Sequence, residues 1–502
     1  MATDQPKAAK RGNGSINVRA RYNQMLLGDW TQLSQADLER IKRVLSQRLE
    51  DDEADPLTLE AVLLLCAILS TGRKLSELAK LEIRSVETRR ENVLKTPPCL
   101  LRLDGSWGWW LPSGAPPRAH VQDKGDMVRA IESVWLPVTP LTREALERSV
   151  EFSELNKGRG RCVLFRYSEV QLRQAALSIL DDDRPDQGRQ RRSARTVEAA
   201  ERWLFRELVN APGGDPAVAT LLTGREHSVA NPMRHYGAKM IDPAVKLHRQ
   251  AVAPFDSHSG GSPLTLIARY VGDPETPRDD VVGNMIEEMM SALRWRRHDL
   301  PFFHQAFTAY TVALLAFALG HRGKFRMPSV RAIDENGFAD IIDKKTKGGV
   351  ELRRTWVCSL ARQQLEAYED HLDTLQSKLP SEQALRLIRI REGAGISLAL
   401  VKLTKSRKIV ETDVNSVITS ARQFGWRGST NAGRHWLRGK MSGKCSSETL
   451  GAFFGHVQAG TDPWGPTSAL DPLLYRADVS RVVDDVLIKA GWDLQRGWGS
   501  PS

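Results

Sequence analysis

Four short segments in the second half of the chain carry cationic and imidazole side chains that suit chemistry on a phosphate. The segments are Gly320-His321-Arg322, Lys345-Thr346-Lys347, Asn431-Ala432-Gly433-Arg434-His435 and Phe454-Gly455-His456. A guanidinium group can bridge two phosphate oxygens, and two such groups stabilise the charge that develops in phosphoryl transfer. A lysine can protonate a leaving oxygen, and a histidine can bind the phosphate or accept a proton. The set predicts phosphodiester chemistry in which the protein supplies the nucleophile.

Other reaction chemistries lack sequence support. The chain has no GxxxxGK[ST] motif, no GxGxxG motif after a strand, and neither HExxH nor GxSxG. Its five cysteines stand singly, without the spacing of a disulfide framework or a zinc site. We therefore expect no cofactor and no metal.

Apolar helices and a pair of strands must position the four segments. Helical periodicity is found around Met285–Leu293, Phe303–Leu319, Gln363–Leu379 and Asp413–Arg422. Phe338–Ile342 and Thr355–Leu360 are typical of strands, with Lys345 and Lys347 at the turn between them. The first half is predicted to be mainly helical as well, with short strands within residues 90–138.

The order and spacing of the segments resemble the catalytic domain of the tyrosine recombinases, the phage-integrase family. That domain carries an arginine after an apolar helix, a lysine in the next β-turn, an HxxRH motif, a GH motif and a nucleophilic tyrosine. The resemblance covers roughly residues 300–476, and the intervals from Arg322 to Lys345 and from Arg434 to His456 look like those of the family. It implies a catalytic set of Arg322, Lys345, Arg434, His456 and Tyr475. The side chains expected to bind DNA phosphates are Asn431, His435, Lys347 and Arg73.

The chain departs from the family pattern at three positions. Asn431 stands where the family usually has a histidine, and Phe325 where an acidic residue usually follows the first arginine. The family's tyrosine follows the GH histidine closely, whereas Tyr475 stands farther along the chain, after a segment that contains Gly, Pro, Thr and Ser. Tyr475 is therefore either a nucleophile delivered by a loop or a core residue on a helix face.

The first half contains an echo of the same motifs. Thr71-Gly72-Arg73 follows an apolar helix, and Gly224-Arg225-Glu226-His227 precedes Tyr236 at an interval typical of the family. This half is either a degenerate duplicate of the catalytic domain or a helical DNA-clamping domain whose motifs match by chance. Tyr236 is a second candidate for the nucleophile.

Charge and composition set the expected partners. Lys and Arg number 72 against 61 Asp and Glu, a net charge of +11 that suits a polyanion. The apolar runs Ala61–Leu69 and Val312–Leu319 are shorter than the roughly 18 residues that span a bilayer. We expect a cytoplasmic, nucleoid-associated protein that binds double-stranded DNA as a homo-oligomer, without membrane contact.

The expected fold is mainly α with small β-sheets (α+β), with a helical N-terminal DNA-clamp domain and a tyrosine-recombinase-like catalytic domain. The expected divisions are a flexible basic arm (1–30), an N-terminal domain (31–253), a linker (254–282), a catalytic domain (283–492) and a tail (493–502). The resemblance implies a site-specific recombinase or integrase that cuts and rejoins DNA through a 3′-phosphotyrosyl intermediate. The alternative is an inactive, recombinase-like accessory or regulatory protein that binds DNA, because arginines and lysines grip phosphates even without a nucleophile.

Overall fold

A computed structural model provides the structure of the protein. It describes residues 32–85, 96–103, 106–113, 126–128, 130–149, 161–182, 196–212, 214–225, 238–256, 270–272, 275–295, 297–346, 349–455, 463–464, 468 and 470–498. Helices make up 58% of the structure and the sheets are small, which confirms the mainly α, α+β class. The predicted arm lies outside the described residues.

The helices of the N-terminal half are α1 (Gln35–Glu50), α2 (Pro56–Thr71), α3 (Leu75–Leu78), α4 (Pro140–Ser149), α5 (Glu169–Asp181), α6 (Val197–Asn210), α7 (Pro216–Thr223) and α8 (Ile241–Val252). Those of the C-terminal half are α9 (Asp279–Trp295), α10 (Leu300–Ala318), α11 (Ser359–Lys378), α12 (Ser381–Ala394), α13 (Val414–Ala421), α14 (Ala432–Met441), α15 (Ser447–Phe454) and α16 (Pro472–Lys489). Short 3-10 turns cover Val330–Ala332 and Arg422–Phe424.

The strands are β1 (Glu82–Ser85), β2 (Cys99–Leu103), β3 (Ser106–Pro112), β4 (Ala130–Ile131), β5 (Ser133–Pro137), β6 (Arg161–Val163), β7 (Ala238–Met240), β8 (Tyr270–Gly272), β9 (Phe338–Thr346), β10 (Gly349–Trp356), β11 (Val401–Leu403) and β12 (Ile409–Glu411). One sheet has the order β5-β3-β2-β1-β6, with β1 and β2 parallel and its other pairs antiparallel. A second sheet has the order β4-β8-β7, and β9-β10 and β11-β12 are antiparallel pairs.

Each half surrounds one buried apolar helix. In the N-terminal half this is α2, which is capped by Asp55, begins with Pro56 and ends at Gly72 in the left-handed conformation. In the C-terminal half it is α10, which is capped by Asp299 and packs against α9, α11, α13 and α14. The same local signals begin both helices, because a carboxylate accepts the free N–H groups and proline fits the first turn.

Helix α10 is long and apolar enough to cross a membrane by length and composition, although its 19 residues were not expected to reach that limit. However, 83% of the apolar window is buried inside the protein. The burial explains the composition, since a core helix that touches neighbours on every side is apolar all round.

Three expected boundaries differ from the structure. The region expected to be a linker contains β8, whose Val271 is buried in the N-terminal core, and it also contains the start of α9. The expected tail packs on the C-terminal core, where the Trp498 N–H donates to Nδ1 of His371 at 3.1 Å. The strand expected at Thr355–Leu360 is wrong, because β10 ends at Trp356 and a helix begins at Ser359.

Among the described residues, no group of His, Cys, Asp or Glu side chains could hold a metal ion. Four cysteines are buried and free, namely Cys66, Cys99, Cys358 and Cys445.

Candidate functional site: an arginine cluster at two helix ends

A buried carboxylate joins three arginines from distant parts of the sequence. Oδ1 of Asp343 lies 2.9 Å from Nη1 of Arg434 and 3.3 Å from Nε of Arg353. Oδ2 of Asp343 lies 3.4 Å from Nη2 of Arg322. We call these four residues the arginine cluster. Its three cations and one anion give it a formal charge of +2.

A β-bulge places the carboxylate. Ile342 pairs with Leu352 and Lys344 pairs with Glu351, so Asp343 is the extra residue between the two pairs. The extra residue of a bulge is unpaired in the ladder, and bulges are frequent beside functional sites. Asp343 is only 4% exposed, so its charge depends on the arginines around it.

Backbone carbonyls at the ends of α10 and α15 accept hydrogen bonds from other guanidinium N–H groups of the cluster. Nη1 of Arg434 donates to the Gly320 carbonyl at 3.1 Å, and Nη2 donates to the carbonyl of Phe454. Arg353 donates to the carbonyls of Leu319 at 2.5 Å and Gly320 at 3.1 Å. The last carbonyls of a helix lack partners within the helix and carry partial negative charge, so arginines stabilise both ends.

Glycines allow the helices to meet this closely. Gly320 has φ 53°, and a Cβ there would lie 2.8 Å from Cε1 of Phe454. A Cβ on Gly433 would lie 2.7 Å from the carbonyl oxygen of Ala316, so α14 touches the backbone of α10. Because Arg434 follows Gly433, this contact brings its guanidinium to the end of α10.

The three guanidinium groups differ in their access to solvent. The side chains of Arg434 and Arg353 are 0% and 3% exposed, whereas that of Arg322 is 19% exposed. Burial lowers the pKa of Arg353 to about 10, and the neighbouring charge of Arg434 acts in the same direction. Arg322 is therefore the member of the cluster that is most accessible to solvent.

The histidines and the asparagine of the motifs face other partners. Nε2 of buried His321 contacts the carbonyl of Arg326 at 3.1 Å, and burial lowers its pKa to about 3. Nε2 of His435 lies 3.7 Å from a carboxylate oxygen of Glu275. Asn431 is half-buried in the turn before α14. His321 is thus a neutral structural residue, and His435 belongs to a contact with the segment before α9.

Tyr475 lies in the apolar core behind the cluster. Its ring is 0% exposed, stacks on Phe338 at 6.1 Å and meets Trp464 edge-on at 5.2 Å. Burial raises the pKa of Tyr475 well above its ordinary value, and the nearby charge of Arg353 opposes that rise. In this conformation Tyr475 lies on the Arg353 side of the cluster and is closed off from solvent.

Lys345 differs from its expected position, and three other predicted residues lie outside the described part of the chain. Lys345 lies within β9, paired with Val350, and not in a turn as predicted. Lys347, His456 and Tyr236 lie outside the described residues, although Gly455, just before His456, contacts the cluster: a Cβ there would lie 3.2 Å from Cδ of Arg353.

Arg73 has a buried position in the N-terminal half. Its guanidinium donates to the carbonyls of Pro112 and, at 3.3 Å, Leu222. Burial lowers the pKa of Arg73 to about 10. Through these contacts Arg73 joins elements of the N-terminal core. It does not lie on an open face, which binding to a DNA phosphate would require.

Sequence reasoning missed Asp343 and Arg353. Ala339 and Ile341 face the core at alternate positions of β9, and continuing the alternation reaches Asp343. On β10, buried Arg353 and Thr355 share a face in the same way. Charged residues on the inward face of a hairpin are a readable sign of a buried ion pair, because a lone buried charge is too costly.

A similar contact between two helix ends occurs in the N-terminal half. We call it the N-terminal joint, and the contact of α10 with α15 at Gly320 the C-terminal joint. Gly72, at the end of α2, has φ 67°, and a Cβ there would lie 2.8 Å from Cγ2 of Thr223 at the end of α7. Nε of Arg225 donates to the Gly72 carbonyl at 3.1 Å. Glu201 of α6 accepts from Nη2 of Arg225 at 3.1 Å and from the N–H of Leu75 at 2.9 Å.

No protein-family model, curated protein or solved structure matches this chain. The function is therefore argued from the geometry of its own residues.

Proposed function

We propose that the protein is a site-specific DNA recombinase or integrase that cuts and rejoins strands through a tyrosyl phosphodiester. One observation carries the proposal: Arg322 and Arg434, which stand far apart in the sequence, meet on the two oxygens of one carboxylate. They do so at the end of the helix that leads into His456 and beside the hairpin that carries Lys345. The parts of the motif set that carry Arg322 and Arg434 thus converge on one region, and Lys345 and His456 closely follow Asp343 and Gly455 in the sequence.

The carboxylate of Asp343 indicates how a phosphate would bind. Its two oxygens meet Arg322 and Arg434 as two non-bridging oxygens of a phosphodiester would. With a formal charge of +2, the cluster still favours an added anion after Asp343 is counted. Arg322 would engage the phosphate first, and Arg434 would follow if the cluster opens.

The proposed reaction uses a tyrosine of this chain. Its hydroxyl oxygen attacks the phosphorus, the bond from phosphorus to the 5′ oxygen breaks, and a 3′-phosphotyrosyl bond forms. The phenolic proton passes to a base, for which His456 is the candidate, and Lys345 protonates the leaving 5′ oxygen. Rejoining reverses these steps, so no external energy source is consumed. Tyr475 is the first candidate for this role and Tyr236 the second.

The proposal extends to the whole chain. The N-terminal half would act as a helical clamp that holds the duplex against the catalytic half, and the net charge of +11 supports a DNA partner. Exchange between two duplexes requires several protomers, so a homo-oligomer would assemble on DNA in the nucleoid.

A specific observation favours a second candidate function, that of a DNA-binding accessory protein without strand cleavage. Tyr475 and Arg434 are both 0% exposed, and the arginine's two terminal nitrogens already contact Gly320, Asp343 and Phe454. In that case Arg322 and exposed lysines would grip phosphates, and the buried groups would only support the fold.

Covalent trapping separates the two functions. The full chain is incubated with nicked suicide duplexes made from the ends of the DNA element that encodes it, and adducts are resolved on denaturing gels. A recombinase forms a protease-sensitive adduct that is lost in Arg322→Ala and in one of Tyr475→Phe or Tyr236→Phe. Tyr368→Phe is the matched control, because Tyr368 is also fully buried but lies against the Ala399 carbonyl. DNA binding without any adduct would select the accessory function.

A further inference from the structure

A fully buried ion pair joins the two halves of the chain. Asp215, the cap of α7, accepts two hydrogen bonds at 2.8 Å from the Nη atoms of Arg438 on α14. It also accepts from the hydroxyl of Ser442 at 2.7 Å and from the N–H of Ala217 at 2.9 Å. The carboxylate oxygens are therefore already well supplied with donors.

A second cation shares this carboxylate. Nζ of Lys239 on β7 lies 3.4 Å from Oδ2 of Asp215, and among the described residues it makes no hydrogen bond. Its side chain is 7% exposed. Burial by itself would raise the pKa of Asp215, but the charges of Arg438 and Lys239 outweigh it and hold that pKa low. Two buried cations thus face one carboxylate, and one positive charge has no counterpart.

Lys239 lines a cavity between the halves. This cavity, which we call the seam cavity, has a volume of about 700 Å³. Its rim carries the exposed lysines Lys246 and Lys444, and its walls include the buried apolar side chains Val218, Leu247 and Trp436. The size lies within the range of roughly 300–1,000 Å³ that is usual for small-molecule sites.

We propose that the seam cavity binds the phosphate group of a nucleotide, with the ammonium group of Lys239 as its main partner. Nζ of Lys239 has almost no accessible surface in this conformation, so its side chain must rotate towards the cavity, where a phosphate supplies the missing negative charge and acceptors for its N–H donors. Burial lowers the pKa of Lys239 to about 8, so the amino group is still charged near neutral pH. Lys246 and Lys444 attract the anion, and the apolar walls accommodate the rest of the nucleotide.

The ligand has two possible sources, a free nucleotide or a nucleotide within bound DNA. Calorimetric titration of the full chain with ADP, without magnesium, tests the first source. Fluorescence anisotropy with a labelled duplex tests the second. The main variant is Lys239→Met, which keeps the pair between Arg438 and Asp215 and so should fold. Lys402→Met, which changes an exposed lysine on β11 outside the cavity, is the matched control.

The expected result is binding that weakens about tenfold or more in Lys239→Met and is unchanged in Lys402→Met. If this loss affects ADP, the ligand is a free nucleotide, and if it affects only the duplex, the ligand belongs to DNA. If Lys239→Met weakens neither, the proposal is wrong. Lys246→Met, which changes an exposed lysine at the rim, is a second test. It should weaken the binding of the same ligand by a smaller factor.

The outcome is independent of strand cleavage. Arg322→Ala and Tyr475→Phe lie outside the seam cavity and should bind ADP as the wild type does. A failure of covalent trapping therefore leaves this site intact, and a failure of ADP and duplex binding at Lys239 leaves the recombinase proposal intact.

Discussion

In the N-terminal half, the ends of α2 and α7 meet at Gly72 and Thr223, while in the C-terminal half the ends of α10 and α15 meet at Gly320 and Phe454. In both joints a left-handed glycine ends the helix, and guanidinium groups bind the last carbonyls. A central apolar helix also precedes an arginine in both halves. The two halves therefore join their helix ends through the same kind of contact.

The joints differ in charge. In the N-terminal joint, Arg225 pairs with Glu201, and Arg73 lies 3.8 Å from a carboxylate oxygen of Glu77, so two cations face two anions. In the arginine cluster, three cations contact the single carboxylate of Asp343. The acids of the first joint come from helices, whereas the acid of the cluster comes from a strand bulge. The two joints thus differ in the ratio of cations to acids among the residues that form them.

The largest expected effect comes from removing the acid of each joint. Asp343→Asn removes the one carboxylate charge that contacts all three arginines of the cluster and should lower the free energy of unfolding by about 3–5 kcal/mol. Glu201→Gln keeps one acceptor and leaves fewer cations unpaired, so it should cost about 1–3 kcal/mol. Urea unfolding followed by hydrogen exchange of α10 and α2 measures the two halves separately.

A double variant sharpens this comparison. In Asp343→Asn with Arg322→Met, one excess cation is also removed, so part of the lost stability should return. If Asp343→Asn and Glu201→Gln lower the free energy of unfolding equally, and the double variant recovers none of the loss, the charge excess of the cluster does not affect stability.

The two central glycines are expected to have an intermediate effect. Gly320→Ala and Gly72→Ala each add a Cβ at 2.8 Å from a side-chain carbon, in a left-handed conformation. Each should lower the free energy of unfolding by about 2–4 kcal/mol. Gly491→Ala is the matched control, because its φ is 100° but its nearest neighbour lies at 4.0 Å, so only about 1–2 kcal/mol is expected.

Hydrogen exchange shows which joint each substitution loosens. Gly320→Ala should increase exchange at the end of α10, and Gly72→Ala at the end of α2. If both substitutions increase exchange in the same half only, the two joints do not stabilise their own cores independently.

The helices that carry the site follow from local sequence signals. Asp299 and the following proline begin α10, Gly320 ends it, and Arg322 follows at its end as predicted. These features depend on residues that are neighbours in the chain. The approach of Arg434 to Arg322 was expected only through the family resemblance, and its geometric cause is the contact of Gly433 with α10.

The remaining features depend on register and tertiary packing. The bulge at Asp343 arises from how β9 pairs with β10, and alternation along one strand does not show where the extra residue falls. The burial of Tyr475 depends on Phe338 and Trp464, which are not its neighbours in the sequence. Sequence alone therefore places Tyr475 on a helix but does not show which side of the helix faces the core.

The smallest of these effects is a pH dependence of the C-terminal joint. His321 has a pKa near 6.5 in the unfolded chain and about 3 in the folded protein, because burial and the charge of Arg353 disfavour its protonated form. Between these values the unfolded chain binds more protons, so the stability due to neutral His321 is complete above pH 6.5 and declines as the pH falls. The slope is about 1.4 kcal/mol per pH unit.

Thermal unfolding of His321→Gln between pH 7 and pH 5 measures this contribution. The variant should lose stability more slowly than the wild type as the pH falls. The difference between the two slopes of stability against pH should equal the contribution of one histidine. The N-terminal joint has arginine at the corresponding places after its glycines, so Gly72→Ala should shift the whole curve without changing its slope. A slope that is unchanged in His321→Gln would mean that this side chain titrates alike in the folded and unfolded chain, and the electrostatic contrast between the two joints would then rest on Asp343 alone.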